Sequence, residues 1–142
     1  MFQCDCNCHK NSEGVIELLK GKKVTIDFGH GGSDPGGVGI MGVMEKNLVL
    51  EIGNILVKKL KGLGVKTYVT RNKDEYVSLK SRCDISNNLD SDLFVSLHCN
   101  AFNKESAKGL EVYHHPKSKY GSSCSKIILD EIKWARRKNS GV

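Results

Sequence analysis

The feature that most constrains this chain is a glycine-dense run, Gly29 to Gly42, set between two segments of different hydrophobic period. Before it, Val24, Ile26 and Phe28 alternate with Thr25 and Asp27, the period-two pattern of a strand. The run contains Asp34-Pro35-Gly36 and predicts a loop. After it, Leu48, Ile52, Ile55, Leu56 and Leu60 fall on one helical stripe, predicting a helix from about Glu45 to Lys61 that Gly62 and Gly64 end. A strand, a glycine-rich turn and a helix in that order form the unit from which parallel sheets are built.

The remaining pattern repeats the unit. Strands are expected over Val65 to Thr70 and Asp92 to Leu97, with a short fourth over Gly109 to Tyr113. Helices are expected over Leu79 to Leu89 and from Ser118 to about Lys138. The reading is one α/β domain, residues 21–142, with a twisted, largely parallel central sheet flanked by helices. Residues 1–20 differ in composition and are expected to be a flexible leader.

At 142 residues the chain supports one core rather than two. No apolar run approaches the roughly 20 residues that cross a bilayer, so no membrane insertion is expected. MFQCDCNCHK lacks the charged start and apolar stretch of a secretory signal, which implies synthesis in the cytoplasm. The net charge of +6 favours polyanions, nucleic acid or an anionic wall polymer among them. Aromatic residues are only 6% and are not interleaved with basic ones, so no nucleic-acid partner is expected. The basic cluster Lys133, Arg136, Arg137 and Lys138 reads as a solvated helix end.

Six cysteines do not make a disulfide framework here. Cys4, Cys6 and Cys8 are too close together to staple distant parts of a fold, and Cys83, Cys99 and Cys124 stand apart within expected secondary structure. With His9, the first three could hold a soft metal, but their spacing is not the paired C-x-x-C of structural zinc sites. Incidental thiols in a leader are the preferred reading.

Three residues from distant positions can meet in such a fold. His30 lies just past the first strand, His98 ends the third, and Glu45 opens the first long helix. Parallel strands with right-handed crossovers bring their C-terminal ends to one edge, where ligands bind. Two imidazoles and a carboxylate suit a catalytic zinc that keeps one position open. On pattern alone each has an ordinary use: strand-end histidines as surface hydrogen-bonding groups, and Glu45 as an acid at a helix N-terminus.

Five ordered blocks add to this. They are IDFGHGGSDPGG (26–37), EKNLVLEI (45–52), VTRNKDEYVSLKSRCDISN (69–87), DLFVSLHCNA (92–101) and KGLEVYH (108–114). Together they resemble the zinc-dependent N-acetylmuramoyl-L-alanine amidases, a cell-wall hydrolase family, from Lys22 to about Leu129. Phe28 stands where the family commonly has proline. The resemblance implies that His30, Glu45 and His98 hold one zinc ion. It also implies cleavage of the amide between N-acetylmuramic acid and L-alanine in peptidoglycan, acting at the bacterial cell wall after release or lysis. Zinc would lower the pKa of its water from 15.7 toward ~7 and polarise the carbonyl. Asp27 and Asn100 flank the ligands and are expected to orient them or, for Asn100, to touch substrate. Arg71 and Arg82 match family positions, and a structural ion pair accounts for each equally well.

The resemblance fails at one place. The family's general-base glutamate, in a late Val-Glu-x-Gly-Phe segment, has no counterpart here, and the last strands of the family fold are expected to be missing. The catalytic base is therefore unassigned; Glu111 is the nearest substitute in sequence but reads as a sheet-surface carboxylate. Weak or absent turnover is expected from a truncated domain, the alternative being a non-catalytic zinc-containing module that binds peptidoglycan or regulates. His114 and His115 read as loop residues.

Overall fold

The computed structural model describes residues 17–99 and 109–139. The chain divides into two compact units, Met1–Ala101 and Phe102–Val142. The first carries a three-stranded parallel sheet, β1 (Lys23–Phe28), β2 (Lys66–Val69) and β3 (Leu93–Leu97), in the order β2-β1-β3. Its helices are α1 (Glu45–Gly62) and α2 (Leu79–Asn88). The second unit contains α3 (Gly121–Asn139).

Strand order dictates where the helices go. The chain steps from β1 to β2 in one direction, then from β2 over β1 to β3 in the other. Right-handed crossovers therefore place α1 and α2 on opposite faces. Register agrees: Ile26 pairs with Val69 and Val95, and Phe28 with Leu97. These side chains share the α1 face and form the core with Val49, Leu56 and Leu60. Thr25 and Asp27 point the other way, where Asp27 meets Arg82 of α2.

The core-facing side of α1 differs from the expected stripe. Val49 and Gly53 are buried, whereas Leu48, Ile52 and Ile55 stay 38%, 46% and 55% exposed. The stripe that packs runs Glu45, Val49, Gly53, Leu56, Leu60; it keeps the expected Leu56 and Leu60 and is rotated by roughly 60° at its N-terminal half. The cause is a close approach. A Cβ on Gly53 would lie 2.2 Å from Phe28 Cε1, so only glycine lets the Phe28 ring lie against the helix.

Helix starts follow their local chemistry. Ser78 caps α2, its hydroxyl accepting from Ser81 N at 3.1 Å. The N-cap of α1, Met44, has no capping side chain. Instead, Glu45 N donates to Gly37 O at 2.8 Å and Lys46 N to Pro35 O at 3.1 Å, so the glycine-rich loop satisfies the helix end.

The expected fourth strand does not form. Residues 109–115 have no regular structure, and Gly109 takes φ 138°. An extended segment becomes a strand only where a neighbour pairs with it. Here the contact seen is local, Tyr113 Oη donating to Glu111 Oε2 at 2.9 Å. His114 and His115 lie in the loop before α3, as expected. Among the described residues no helix is long and apolar enough to cross a membrane.

Candidate metal centre

The C-terminal ends of β1 and β3 and the start of α1 bring three side chains together. His30 Nε2 lies 3.2 Å from Glu45 Oε1, and His98 Nδ1 lies 3.1 Å from both that oxygen and His30 Nε2. His30, Glu45 and His98 form the group of potential metal ligands among the described residues, its ligand atoms all within 4.8 Å of one another. Four ligands about 2.0–2.2 Å from a tetrahedral ion sit about 3.3–3.6 Å apart. The observed triangle is within a few tenths of an ångström of that spacing, so the residues fit one small divalent ion.

Glu45 and His30 are aimed by bonds behind them. Glu45 is buried; its Oε2 accepts from Gly37 N at 2.8 Å and its Oε1 from Cys99 N at 2.6 Å. Burial works to raise its pKa, but these two amides, with His30 and His98 beside them, hold the carboxyl below the usual range. Behind His30, Nδ1 lies 2.9 Å from Asp34 Oδ2, while Asp34 Oδ1 accepts from Gly36 N at 3.1 Å. Those same bonds, His30 foremost, lower the Asp34 pKa. The rings are also hemmed in by glycines: a Cβ on Gly36 would lie 2.5 Å from His30 Cδ2, and one on Gly29 2.4 Å from His98 Cε1.

His30 adopts φ 61°, a left-handed conformation that costs a non-glycine residue about 1–3 kcal/mol. Two buried arginines hold the strand end that carries it. Arg82 donates to His30 O, Phe28 O and Val77 O, each at 2.8 Å, and to Asp27 Oδ1 at 2.7 Å. Arg71 donates to the carbonyls of Phe28, Gly29, Lys46 and Lys73. Burial, followed by the nearby Arg82 charge, lowers the Arg71 pKa. The ion pair read from sequence thus exists for Arg82, whereas Arg71 gathers backbone carbonyls instead.

Asp27 touches neither imidazole. Its carboxylate accepts from Thr70 Oγ1, Ser96 Oγ and Arg82, and it reaches the site through the arginine that holds His30 O. Asn100 and the Cys4, Cys6, Cys8, His9 group lie outside the described residues. Sequence reading missed Asp34, whose Asp-Pro-Gly setting signals a turn and hides its second bond, to His30. A cleft of about 540 Å³ opens beside the centre on the α2 side, walled by Tyr76, Val77, Leu79 and Phe94 with His30 and His98.

Residues 24–142 match the sequence pattern of the family described as N-acetylmuramoyl-L-alanine amidase. The chain is 36% identical over 105 residues to the amidase AmiC of Neisseria meningitidis, covering 74% of this chain and 25% of that protein. It is likewise 36% identical over 124 residues to the sporulation-specific amidase of Bacillus subtilis, covering 81% and 46%. Among solved structures, an amidase from Clostridium difficile 630 is 37% identical with a TM-score of 0.68, covering 72% of this chain and 57% of that one. The CwlD amidase of Clostridioides difficile, solved with the GerS lipoprotein, has a TM-score of 0.75 at 28% identity, covering 79% and 65%. The chain spans a quarter to about half the length of the curated relatives it matches first.

Proposed function

The chain belongs to the N-acetylmuramoyl-L-alanine amidase family, and we propose that it is a peptidoglycan hydrolase domain whose His30, Glu45 and His98 hold one zinc ion. The observation that carries this reading is the 3.1–3.2 Å triangle of two imidazole nitrogens and one carboxylate oxygen at the rim of a parallel sheet. Zinc, when bound, supplies a Lewis acid and an acidified water for attack on an unactivated amide. The chain's own residues do the rest. The Gly37 and Cys99 amides keep Glu45 ionised and fixed, so it offers a full negative charge to a cation. The neighbouring cleft falls within the roughly 300–1,000 Å³ of ordinary ligand pockets and admits substrate along the His30 and His98 side.

The substrate bond is the amide joining the lactyl group of N-acetylmuramic acid to L-alanine, and the place of action is the bacterial cell wall. Residues 1–142 contain no Val-Glu-x-Gly-Phe segment to supply the family's general base, which typically contributes about a hundredfold to ten-thousandfold. Metal binding with slow amide cleavage is the expected behaviour of these 142 residues. Residues 21–142 are proposed as the amidase part.

Zinc stoichiometry is the first test, made on residues 21–142 so that the N-terminal thiols do not contribute. One zinc per chain is expected, with loss of at least tenfold in affinity in His30→Ala and in His98→Ala. Equal retention in all three would refute the site. Release of L-alanine amino termini from purified cell wall then separates a slow hydrolase from a binding module that sediments with wall and releases nothing.

A further inference from the structure

We infer that Asp34 is the positioning residue of this centre: it fixes the His30 ring so that Nδ1 carries the proton and Nε2 presents its lone pair to the ion. The inference rests on the zinc reading of the site and gives a role to a residue outside the ligand triangle, one that the sequence shows only as part of a turn.

The two oxygens of Asp34 divide their work. Oδ1 accepts from Gly36 N at 3.1 Å, which locks the carboxylate to the loop, and Oδ2 is then 2.9 Å from His30 Nδ1. An ionised carboxylate is acceptor-only, so the imidazole must be the donor in that bond. The opposite nitrogen, Nε2, is the one that faces Glu45 Oε1 and His98 Nδ1. Glu45 Oε1 already accepts from Cys99 N at 2.6 Å, so it competes less well for the ring proton. The Asp34 backbone is pinned as well: Gly31 N donates to Asp34 O at 2.9 Å, and Asp34 N to Gly31 O at 3.1 Å. His30 thus sits in a closed loop, Gly31 to Gly36, that returns a carboxylate to its own ring. The ring also lies so close to Gly36 that a Cβ there would come within 2.5 Å of Cδ2, so only glycine leaves the ring its place.

His98 is set differently among the described residues. Its Nδ1 faces the site, and among the described residues no hydrogen bond reaches its Nε2. The His98 ring lies where a Cβ on Gly29 would come within 2.4 Å of it, whereas the His30 ring has a carboxylate on the nitrogen away from the site. Such carboxylate–imidazole pairs raise ligand basicity, and their loss typically weakens metal binding about 10- to 100-fold.

The experiment uses the full chain, its histidines labelled with ¹⁵N and the His30 resonances assigned by comparison with His30→Ala. In the metal-free chain, at a pH where the ring is neutral, long-range ¹H–¹⁵N spectra should place the His30 proton on Nδ1. In Asp34→Ala it should move to Nε2. Zinc affinity by chelator competition, with the binding retained by His30→Ala subtracted as the share of the N-terminal thiols, should fall about 10- to 100-fold in Asp34→Ala and less than tenfold in Asp34→Asn, which retains one acceptor oxygen. A purely structural Asp34 would lower the melting temperature and leave the tautomer unchanged, which would overturn the inference. A proton on Nε2 in the unaltered chain would overturn it without any variant, even if Asp34→Ala does not fold. Should the unaltered chain bind no zinc, the zinc reading fails, and the tautomer measurement still decides whether Asp34 directs the ring.

Discussion

β1 and β3 run side by side and parallel, and each delivers one histidine to the site from its C-terminal end, yet their surroundings differ. β1 has a neighbour on both edges and a helix on each face, and Thr25, Ile26, Asp27 and Phe28 are all buried. β3 pairs only with β1 among the described residues, and its Leu93 and Phe94 are 41% and 39% exposed. The ligands inherit the difference: the His30 side chain is 21% exposed and braced by Asp34, while that of His98 is 44% exposed. A central strand can carry what an edge strand cannot. A left-handed non-glycine residue and two buried guanidiniums persist at the end of β1 because backbone carbonyls and Asp27 account for their donors.

The largest way to break that contrast is to remove the charge that balances the braced half. Asp27→Ala leaves Arg82 buried without its carboxylate, and such losses typically cost about 3–5 kcal/mol, a large part of the total stability of a small domain. Chemical denaturation should show the midpoint falling accordingly. Acid should act on the same group. Burial pushes the Asp27 pKa up, but bonds from Ser96, Thr70 and Arg82 outweigh it and hold the carboxyl below its ordinary 3.8. Because the folded value is depressed, its stabilisation is complete above that ordinary value and disappears as pH falls through the folded one. Asp27→Asn should therefore be less stable at neutral pH and show a flatter stability profile below about pH 4.

Next in size is the contact that seats β1 on α1. Alanine at position 53 gains up to about 1 kcal/mol of helix propensity. Its Cβ, however, meets the Phe28 ring at 2.2 Å, and overpacking of that kind costs about 1–3 kcal/mol. Gly53→Ala should be net destabilising. Phe28→Leu in the same chain should recover part of the loss, giving a non-zero interaction energy in a double-mutant cycle. Strictly additive effects would mean that the helix shifts rather than the ring.

Most of the fold was legible because it is written in local periods. The strands β1, β2 and β3 and the helices α1, α2 and α3 begin and end within three residues of where alternation, helical spacing and glycine stops put them. Parallel topology permitted His30, Glu45 and His98 to share one edge, and the ordered blocks of the family resemblance singled them out; the structure brings the three together. What the sequence hid depends on partners. The burial face of α1 was legible at Leu56 and Leu60 but not at Leu48, Ile52 and Ile55, because the helix is apolar over more than one face and its closest approach to β1 is at Gly53, which carries no apolar side chain. The segment Gly109–Tyr113 has the composition of a strand, but strand formation needs a neighbour that composition does not name. Asp27, Arg71 and Asp34 stand near the ligands in sequence or in pattern, and only geometry separates the carboxylate that holds an arginine from the one that holds a histidine.

The smallest effect belongs to the exposed half, and it tests whether the two halves differ as described. Leu93 opens β3 opposite Val24, and it retains much of its surface in water. Leu93→Thr removes only part of the roughly 1.5–3 kcal/mol that full burial of such a side chain provides, and threonine brings the β-branching that strands favour. A cost below about 1 kcal/mol is expected, with zinc affinity unchanged, because Leu93 lies at the end of the strand opposite His98. A loss as large as that of Asp27→Ala would show that β3 is held as firmly as β1. The greater exposure of His98 would then have a cause other than a loosely held strand.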